Sequence, residues 1–248
     1  MKIVASVEAR TGSTRLPGKV MREIMGRPML ELMIERVKRS KKVDEIVIAT
    51  STHENDDVLE KLAETLSVKC YRGSENDVLD RVLQAAKYCN ADHIVELWGD
   101  TPLIDPDIID AAIKYYLENG FDCLGTCLDG TFPWGISLLV FPTAVLDEVS
   151  RITNDPVDRE NVSTYIYNNP DKYKIGHLPC PPAIKRPDLR LVVDELPDLE
   201  LVGIIFEHFN SAKKDFRTKD IVEFMDSRPE LKEINRNVRQ KKRGKYSV

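Results

Sequence analysis

The run Ala9-Arg10-Thr11-Gly12-Ser13-Thr14-Arg15-Leu16-Pro17-Gly18-Lys19 carries the strongest chemical signal in the chain. Arg10, Arg15 and Lys19 put three cations on one short loop. Unpaired they would repel one another, so a polyanion between them is their natural partner. Gly12 lets backbone approach a phosphate closely, and Ser13 and Thr14 add hydroxyl donors. The spacing is neither GxxxxGK[ST] nor GxGxxG, so neither common phosphate loop is present. The same residue types would also suit a basic surface turn.

Two acids complete the picture. Asp100 follows the apolar run HIVELW (93–98) within Gly99-Asp100-Thr101-Pro102-Leu103-Ile104-Asp105, and Asp194 closes LRLVVD (189–194). Taken singly, either Asp is equally at home as a helix N-cap. Converging beside a basic loop, the two suit Mg²⁺, which takes oxygen ligands from a few acids and from phosphate. Two carboxylates so placed without a cation would repel, and one would have its pKa raised. Removing one charge should then cost the metal-free protein no stability.

These groups need elements that bring them together. Residues 2–7, 45–50, 68–71 and 93–98 read as buried strands. They alternate with helical patterns over 28–40, 55–67, 77–89 and 106–119. Met29, Leu32, Met33, Arg36 and Val37 share a stripe of the first helix, and Asn55 or the Asp56-Asp57 pair would cap the second. This alternation predicts a mostly parallel sheet with helices on both faces, whose ligands bind at the carboxyl ends of the strands. In the second half, the apolar runs FDCLGTCL and ISLLVF within 121–145 read as strands of an excursion from the sheet. A helix over 156–168, a Pro-rich loop at 177–188, a strand at 189–194 and helices over 197–209, 218–226 and 229–235 are expected. The whole chain reads as a single domain.

Composition narrows the function classes. A net charge of −5 argues against a bulk grip on nucleic acid, so any polyanion site must be local. The N-terminus is too short and polar for a signal peptide, and no apolar run approaches the ~18 residues of a membrane span. The expectation is a cytoplasmic protein. Cys70, Cys89, Cys123, Cys127 and Cys180 are an odd, scattered set, which argues against a disulfide framework. His53, His93, His177 and His208 form no metal-binding pair. Arg236, Arg239, Lys241, Lys242, Arg243 and Lys245 make the C-terminus basic, as a solvated end or a contact for an acidic partner.

Four segments in order, ARTGSTRLPGK, RGSENDVLDR (72–81), GDTPLID and VDELPDLELV (193–202), resemble the cytidylyltransferase family. That family includes the enzymes that make CMP-Kdo and CMP-sialic acids, and the resemblance is to its spore-coat-polysaccharide type. It spans about residues 2–205. It implies a Rossmann-like nucleotide-diphospho-sugar transferase fold, CTP as donor, Mg²⁺ as the metal and a homodimer. Arg10, Ser13, Arg15 and Lys19 would hold the triphosphate. Ala9 and Gly12 would offer backbone contacts to the nucleotide. Asp100 and Asp194 would bind Mg²⁺. Arg72, Asp77 and Arg81 belong to the segment that in the family closes on base and ribose, and Asp158-Arg159-Glu160-Asn161 resembles one that approaches the acceptor or a neighbouring subunit.

The chain departs from the family at Glu8, at Trp98 and over Phe132-Pro133-Trp134-Gly135-Ile136-Ser137. These departures leave the acceptor open between an acidic sugar and a phosphorylated or phosphonate metabolite, with 121–180 as the acceptor or dimerisation region. Two alternatives to CTP chemistry remain: the same transfer from another NTP such as GTP, and a nucleotide-binding module without catalysis. The pair Asp100 and Asp194 separates the second from an enzyme, because a mere binder does not need both acids.

Overall fold

The computed structural model describes residues 1–212 and 215–240, so Lys241, Lys242, Arg243 and Lys245 of the basic tail lie outside the described residues. The strands are β1 (Ile3–Glu8), β2 (Glu23–Ile24), β3 (Arg27–Pro28), β4 (Glu45–Ser51), β5 (Lys69–Gly73), β6 (His93–Trp98), β7 (Cys123–Gly125), β8 (Leu139–Pro142) and β9 (Ile175–His177). The helices are α1 (Met29–Val37), α2 (Asp57–Thr65), α3 (Val78–Tyr88), α4 (Pro106–Asn119), α5 (Thr143–Ile152), α6 (Pro156–Glu160), α7 (Thr164–Tyr167), α8 (Leu196–Ser211) and α9 (Thr218–Ser227). Seven strands form one sheet in the order β5-β4-β1-β6-β8-β7-β9, while β2 and β3 pair separately.

The apolar runs of the first half become the parallel block β5-β4-β1-β6. Such strands are covered on both sides, and here successive residues feed two cores. Ile3, Ala5 and Val7 of β1 pack on one face with α1, α2, α4, α8 and α9. Val4 packs on the other with α3 and α5. The sheet is therefore α/β, mostly parallel and covered on both faces. No helix among the described residues is long and apolar enough to cross a membrane.

Three elements differ from the sequence reading. The apolar runs of 121–145 return to the central sheet as β7 and β8, with β8 antiparallel to β6. The excursion is the loop between them. Leu124, Leu139, Val140 and Phe141 are fully buried within one chain, so their apolar character does not call for a second copy. The helix expected over 156–168 breaks into α6 and α7, with Val162 at φ 40° between them. A β-branched residue in the left-handed region cannot continue a helix. Residues 189–194 form no sheet strand. They run extended past the end of β6, joined to Trp134 by one bridge at Arg190 and to Asp100 by Val193. An apolar run has the same appearance in a buried strand and in a buried extended loop.

Candidate active site

The basic loop leaves the carboxyl end of β1 and closes on itself: the Ser13 and Gly18 amides both donate to the Thr11 carbonyl, each at 2.9 Å. Gly18 takes φ 66° and opens a single 3₁₀ turn that starts at Lys19. The loop is pinned from below by Asp56. Its Oδ1 accepts from the Thr11 amide (2.8 Å) and hydroxyl (2.7 Å), and its Oδ2 from Ser51 at the end of β4. Burial would raise this carboxyl's pKa, but the Ser51 and Thr11 hydrogen bonds outweigh it and hold the pKa below the ordinary value. Asp56 therefore serves the loop rather than capping α2. The 3₁₀ turn Glu54–Asp56 that precedes α2 is capped instead by the His53 ring, which accepts from the Asn55 amide at 3.1 Å.

Gly99 brings the end of β6 against the loop. Its amide donates to the Glu8 carbonyl at 2.8 Å, and a Cβ at this position would lie 2.9 Å from that oxygen. Asp100 thereby faces Lys19. The Lys19 ammonium donates to Asp100 Oδ2 (2.8 Å), Asp194 Oδ1 (3.1 Å) and the Val193 carbonyl (3.0 Å). Asp100 and Asp194 thus meet at one nitrogen, although neighbouring parallel strands do not present both. The Val193 amide donating to the Asp100 carbonyl at 2.8 Å makes the junction.

The repulsion expected between the two acids does not arise, because Lys19 is the cation between them. Burial would lower the Lys19 pKa, but Asp100 and Asp194 outweigh it and hold it above the ordinary lysine value. Burial would raise the Asp194 pKa, but Lys19, Arg15 and Arg190 outweigh that and hold it below the ordinary value. Arg15 pairs with Asp194 at 2.6 Å and stands 3.8 Å from Glu195.

Behind Asp194 lies a buried polar buttress. Arg190 binds Asp194 Oδ2 at 2.8 Å and Asp198 Oδ1 at 3.0 Å. Asp198, fully buried, also accepts from Asn235 (2.9 Å) and from the Asp194 amide (3.0 Å). Further along the segment that carries Asp100, the Ile104 carbonyl accepts from Arg36 at 2.9 Å; Arg36 also donates to the Phe216 carbonyl at 3.3 Å, with its guanidinium 4.2 Å from the Phe216 ring. Burial pulls the Arg36 pKa down to about 10, against the opposing pull of Asp105.

A cavity of about 490 Å³ opens beside Asp100 and Asp194. Its walls include Trp98 from β6, Trp134 from the β7–β8 loop and Tyr167 from α7. The described residues thus bring a clamped basic loop, two convergent carboxylates and a cavity together at the carboxyl ends of β1 and β6.

The family model for cytidylyltransferases matches residues 4–228. The chain belongs to the cytidylyltransferase family. It is 39% identical over 241 residues to an uncharacterised protein of Methanocaldococcus jannaschii, covering 97% of both chains. It is 31% identical over 233 residues to the spore coat polysaccharide biosynthesis protein SpsF of Bacillus subtilis, covering 92% of this chain and 95% of that one. Among solved structures, a cytidylyltransferase from Leptospira borgpetersenii superposes with a TM-score of 0.90 at 33% identity, over 97% of this chain and 100% of that one.

In this family member the segment 72–81 braces the basic loop. Arg10 stands 3.6 Å from Glu75, and a Cβ on Gly12 would lie 3.5 Å from the same carboxylate. Arg72 is engaged away from the loop, with Asp57 (2.6 Å), Glu60 and the Ser51 and His53 carbonyls. Asp77 caps α3 by accepting from the Asp80 amide at 3.0 Å and also binds Arg159 of α6. Arg81 is buried and donates to the Ser74 carbonyl at 2.7 Å. Ala9 and Ser13 lie on the loop itself, where the Ala9 amide bonds the Ala49 carbonyl at 3.3 Å and the Ser13 hydroxyl accepts from the Leu16 amide at 3.4 Å. The sequence pattern assigns no part in holding this site together to Asp56, which it offers as a helix cap, to Gly99 and Asp198, which lie inside the family-like segments, or to Arg190 and Asn235. Of these, only Gly99, beside a candidate acid at a strand end, carried a local signal.

Proposed function

We propose that this cytidylyltransferase moves CMP from CTP to a small acceptor, with Mg²⁺, and releases pyrophosphate. The observation that supports this most is the meeting of Asp100 Oδ2, Asp194 Oδ1 and the Val193 carbonyl at one cation position beside the basic loop. That donor set is all oxygen, as Mg²⁺ requires, so Asp100, Asp194 and the Val193 carbonyl would hold the ion. A bound Mg²⁺ would neutralise charge on the phosphate oxygens.

The chain's own groups do the rest. Lys19, displaced from between the carboxylates, joins Arg10 and Arg15 on the triphosphate and holds the departing pyrophosphate. Asp56 fixes the loop that carries them. The cavity presents the acceptor oxygen for in-line attack on the α-phosphorus, so positioning and charge neutralisation suffice without a side-chain nucleophile.

The name of the Bacillus subtilis relative supports a place in polysaccharide biosynthesis, and we propose that the protein works in the cytoplasm. Thermal stabilisation by each NTP with Mg²⁺ tests the donor, since a ligand binding only the native state raises Tm. CTP should give the largest shift; a marked shift from GTP or ATP without one from CTP rejects it. The non-catalytic alternative requires that CTP bind without pyrophosphate release in the presence of acceptor. The family resemblance also supports a homodimer, which light scattering at micromolar concentration should report; a monomer alone would count against it.

A further inference from the structure

The turn 74–77 between β5 and α3 lies directly against the basic loop. Glu75 stands 3.6 Å from Arg10, and a Cβ on Gly12 would lie 3.5 Å from its carboxylate. Arg81 holds the turn from its own helix, donating to the carbonyls of Ser74 (2.7 Å) and Glu75 (3.4 Å). Asp77 closes it. The Asp77 amide donates to the Ser74 hydroxyl (3.0 Å), and its Oδ1 accepts from the Asp80 amide (3.0 Å), which caps α3. Oδ2 of Asp77 has a different partner. It accepts from Nε (3.0 Å) and from Nη2 of Arg159, 82 positions along the chain.

Arg159 reaches the turn from α6, and its Nη1 also binds the Ser150 carbonyl of α5 at 2.9 Å. Side chains tie this short helix down along its length. Asp155 caps its start by accepting from the Val157 amide (2.8 Å). Asp158, buried, accepts from the Thr153 hydroxyl (2.8 Å), and Asn161 donates back to the Val157 carbonyl (2.7 Å). From α6 the chain passes through Val162 into α7, where Tyr167 and the following Asn168 and Pro170 line the cavity. The Arg159 guanidinium therefore joins two pieces of backbone that are distant in sequence: the turn against the phosphate loop and the segment that walls the cavity. The side chains of the pair are 18% and 32% exposed, so the contact is partly withdrawn from water. A planar fork that serves Asp77 and Ser150 together fixes geometry as well as charge.

We infer that Arg159 is a positioning residue for nucleotide binding: it holds the 74–77 turn, and through Glu75 the guanidinium of Arg10, in the place the triphosphate needs. This rests on the transferase reading above. The segment around Arg159 resembles one expected to approach the acceptor or a neighbouring subunit, but the contacts described for Arg159 run within its own chain, to Asp77 and Ser150. Arg159 acts through Asp77 and is not placed on the reacting atoms. Its grip on Asp77 is separable from the helix cap, because Oδ1 alone caps α3. Asp77→Asn therefore keeps a capping oxygen and loses the charge that Arg159 binds. A turn freed from Arg159 lets Glu75 and Arg10 move, and nucleotide binding then has to order them.

The test separates positioning from propping. Full-length wild type, Arg159→Ala, Arg159→Lys, Asp77→Asn and the Arg159→Ala/Asp77→Asn double variant are titrated by calorimetry in the presence of Mg²⁺. The titrant is the NTP that the wild type binds most tightly, CTP on the reading above, and each Tm is recorded without ligand. Arg159→Ala should weaken nucleotide binding roughly tenfold. Arg159→Lys should fall between, because one ammonium cannot serve Asp77 and Ser150 together. The double variant should bind no more weakly than Arg159→Ala, since both changes cut the same link. Lys87→Met removes a different contact between α3 and α5, the pair with Asp147, and should leave the affinity unchanged. Wild-type affinity in Arg159→Ala, whatever its Tm, overturns the inference, as do losses that add in the double variant; Arg159 would then only prop α6 against α5. Should Arg159→Ala not fold, Asp77→Asn carries the test with α3 still capped, and wild-type affinity there overturns the inference equally. Failure of the transferase reading shows in the wild type itself, which would bind none of the four NTPs with Mg²⁺, and the inference falls with it.

Discussion

Lys19 occupies the position between Asp100 and Asp194 where a metal would have to sit, so it plays two parts. In the free protein it holds two carboxylates together; with nucleotide bound it would have to leave them. Lys19→Met should therefore destabilise the metal-free protein, by about 3 kcal/mol for a largely buried pair that loses one partner. Mg²⁺ alone should then raise the Tm of the variant more than that of the wild type, because the ion replaces the missing ammonium. Equal Mg²⁺ shifts in the two proteins would detach the metal from this position. Asp194 gives a pH signature. Its folded pKa lies below 3.8, so its contribution to stability is present above the unfolded value and lost as pH falls through the folded one. The Tm gap between wild type and Asp194→Asn should hold from neutral pH down to about 4 and close below it. That gap should favour the wild type, since removing Asp194 strands Lys19, Arg15 and Arg190. A variant as stable as wild type at pH 7 would contradict the role drawn for this carboxylate.

At the scale of elements, the site depends on close approaches of backbone that only glycine permits. Gly135 shows this best, because its positive φ and its distance to the 191–192 backbone both forbid a side chain. Gly135→Ala should cost about 1–3 kcal/mol of stability. It should also lift the 132–137 wall, raising the KM for acceptor while leaving the Tm shift from CTP intact. Loss of the CTP shift as well would mean that the wall supports the nucleotide half of the site. The sequence disclosed the elements unevenly. Arg10, Lys19, Asp100 and Asp194 were legible because cations on a loop and acids at the ends of apolar runs are local signals. Asp56 was not, because an acid before a helix has the same appearance as a cap, and only the fold brings Thr11 to it. Residues 189–194 were read as a strand because burial makes both strands and extended loops apolar. The break at Val162 leaves no mark in a helical pattern.

The whole molecule enters the site from its far end. The family match stops at residue 228, yet Asn235 beyond it donates to Asp198 at 2.9 Å and to the Arg190 carbonyl at 3.1 Å. Asp198 orients Arg190, and Arg190 occupies Oδ2 of Asp194, which leaves Oδ1 facing Lys19. The C-terminal stretch thus completes a chain of buried polar contacts that ends at a candidate metal ligand, and Leu231, buried nearby, anchors that stretch to the core. Buried networks of this kind hold only when every member is satisfied. Asn235→Ala removes a donor to a fully buried carboxylate, which should cost about 1–3 kcal/mol. Because the loss is transmitted through Asp198 and Arg190 to Asp194, the same variant should bind CTP with Mg²⁺ several-fold more weakly. Leu231→Ala, which loosens the same stretch through its apolar anchor alone, serves as the control for stability. If Asn235→Ala and Leu231→Ala lower Tm alike, but only the first weakens nucleotide binding by isothermal titration, the polar chain carries the effect. Unchanged nucleotide affinity in Asn235→Ala would confine the C-terminal stretch to a structural part.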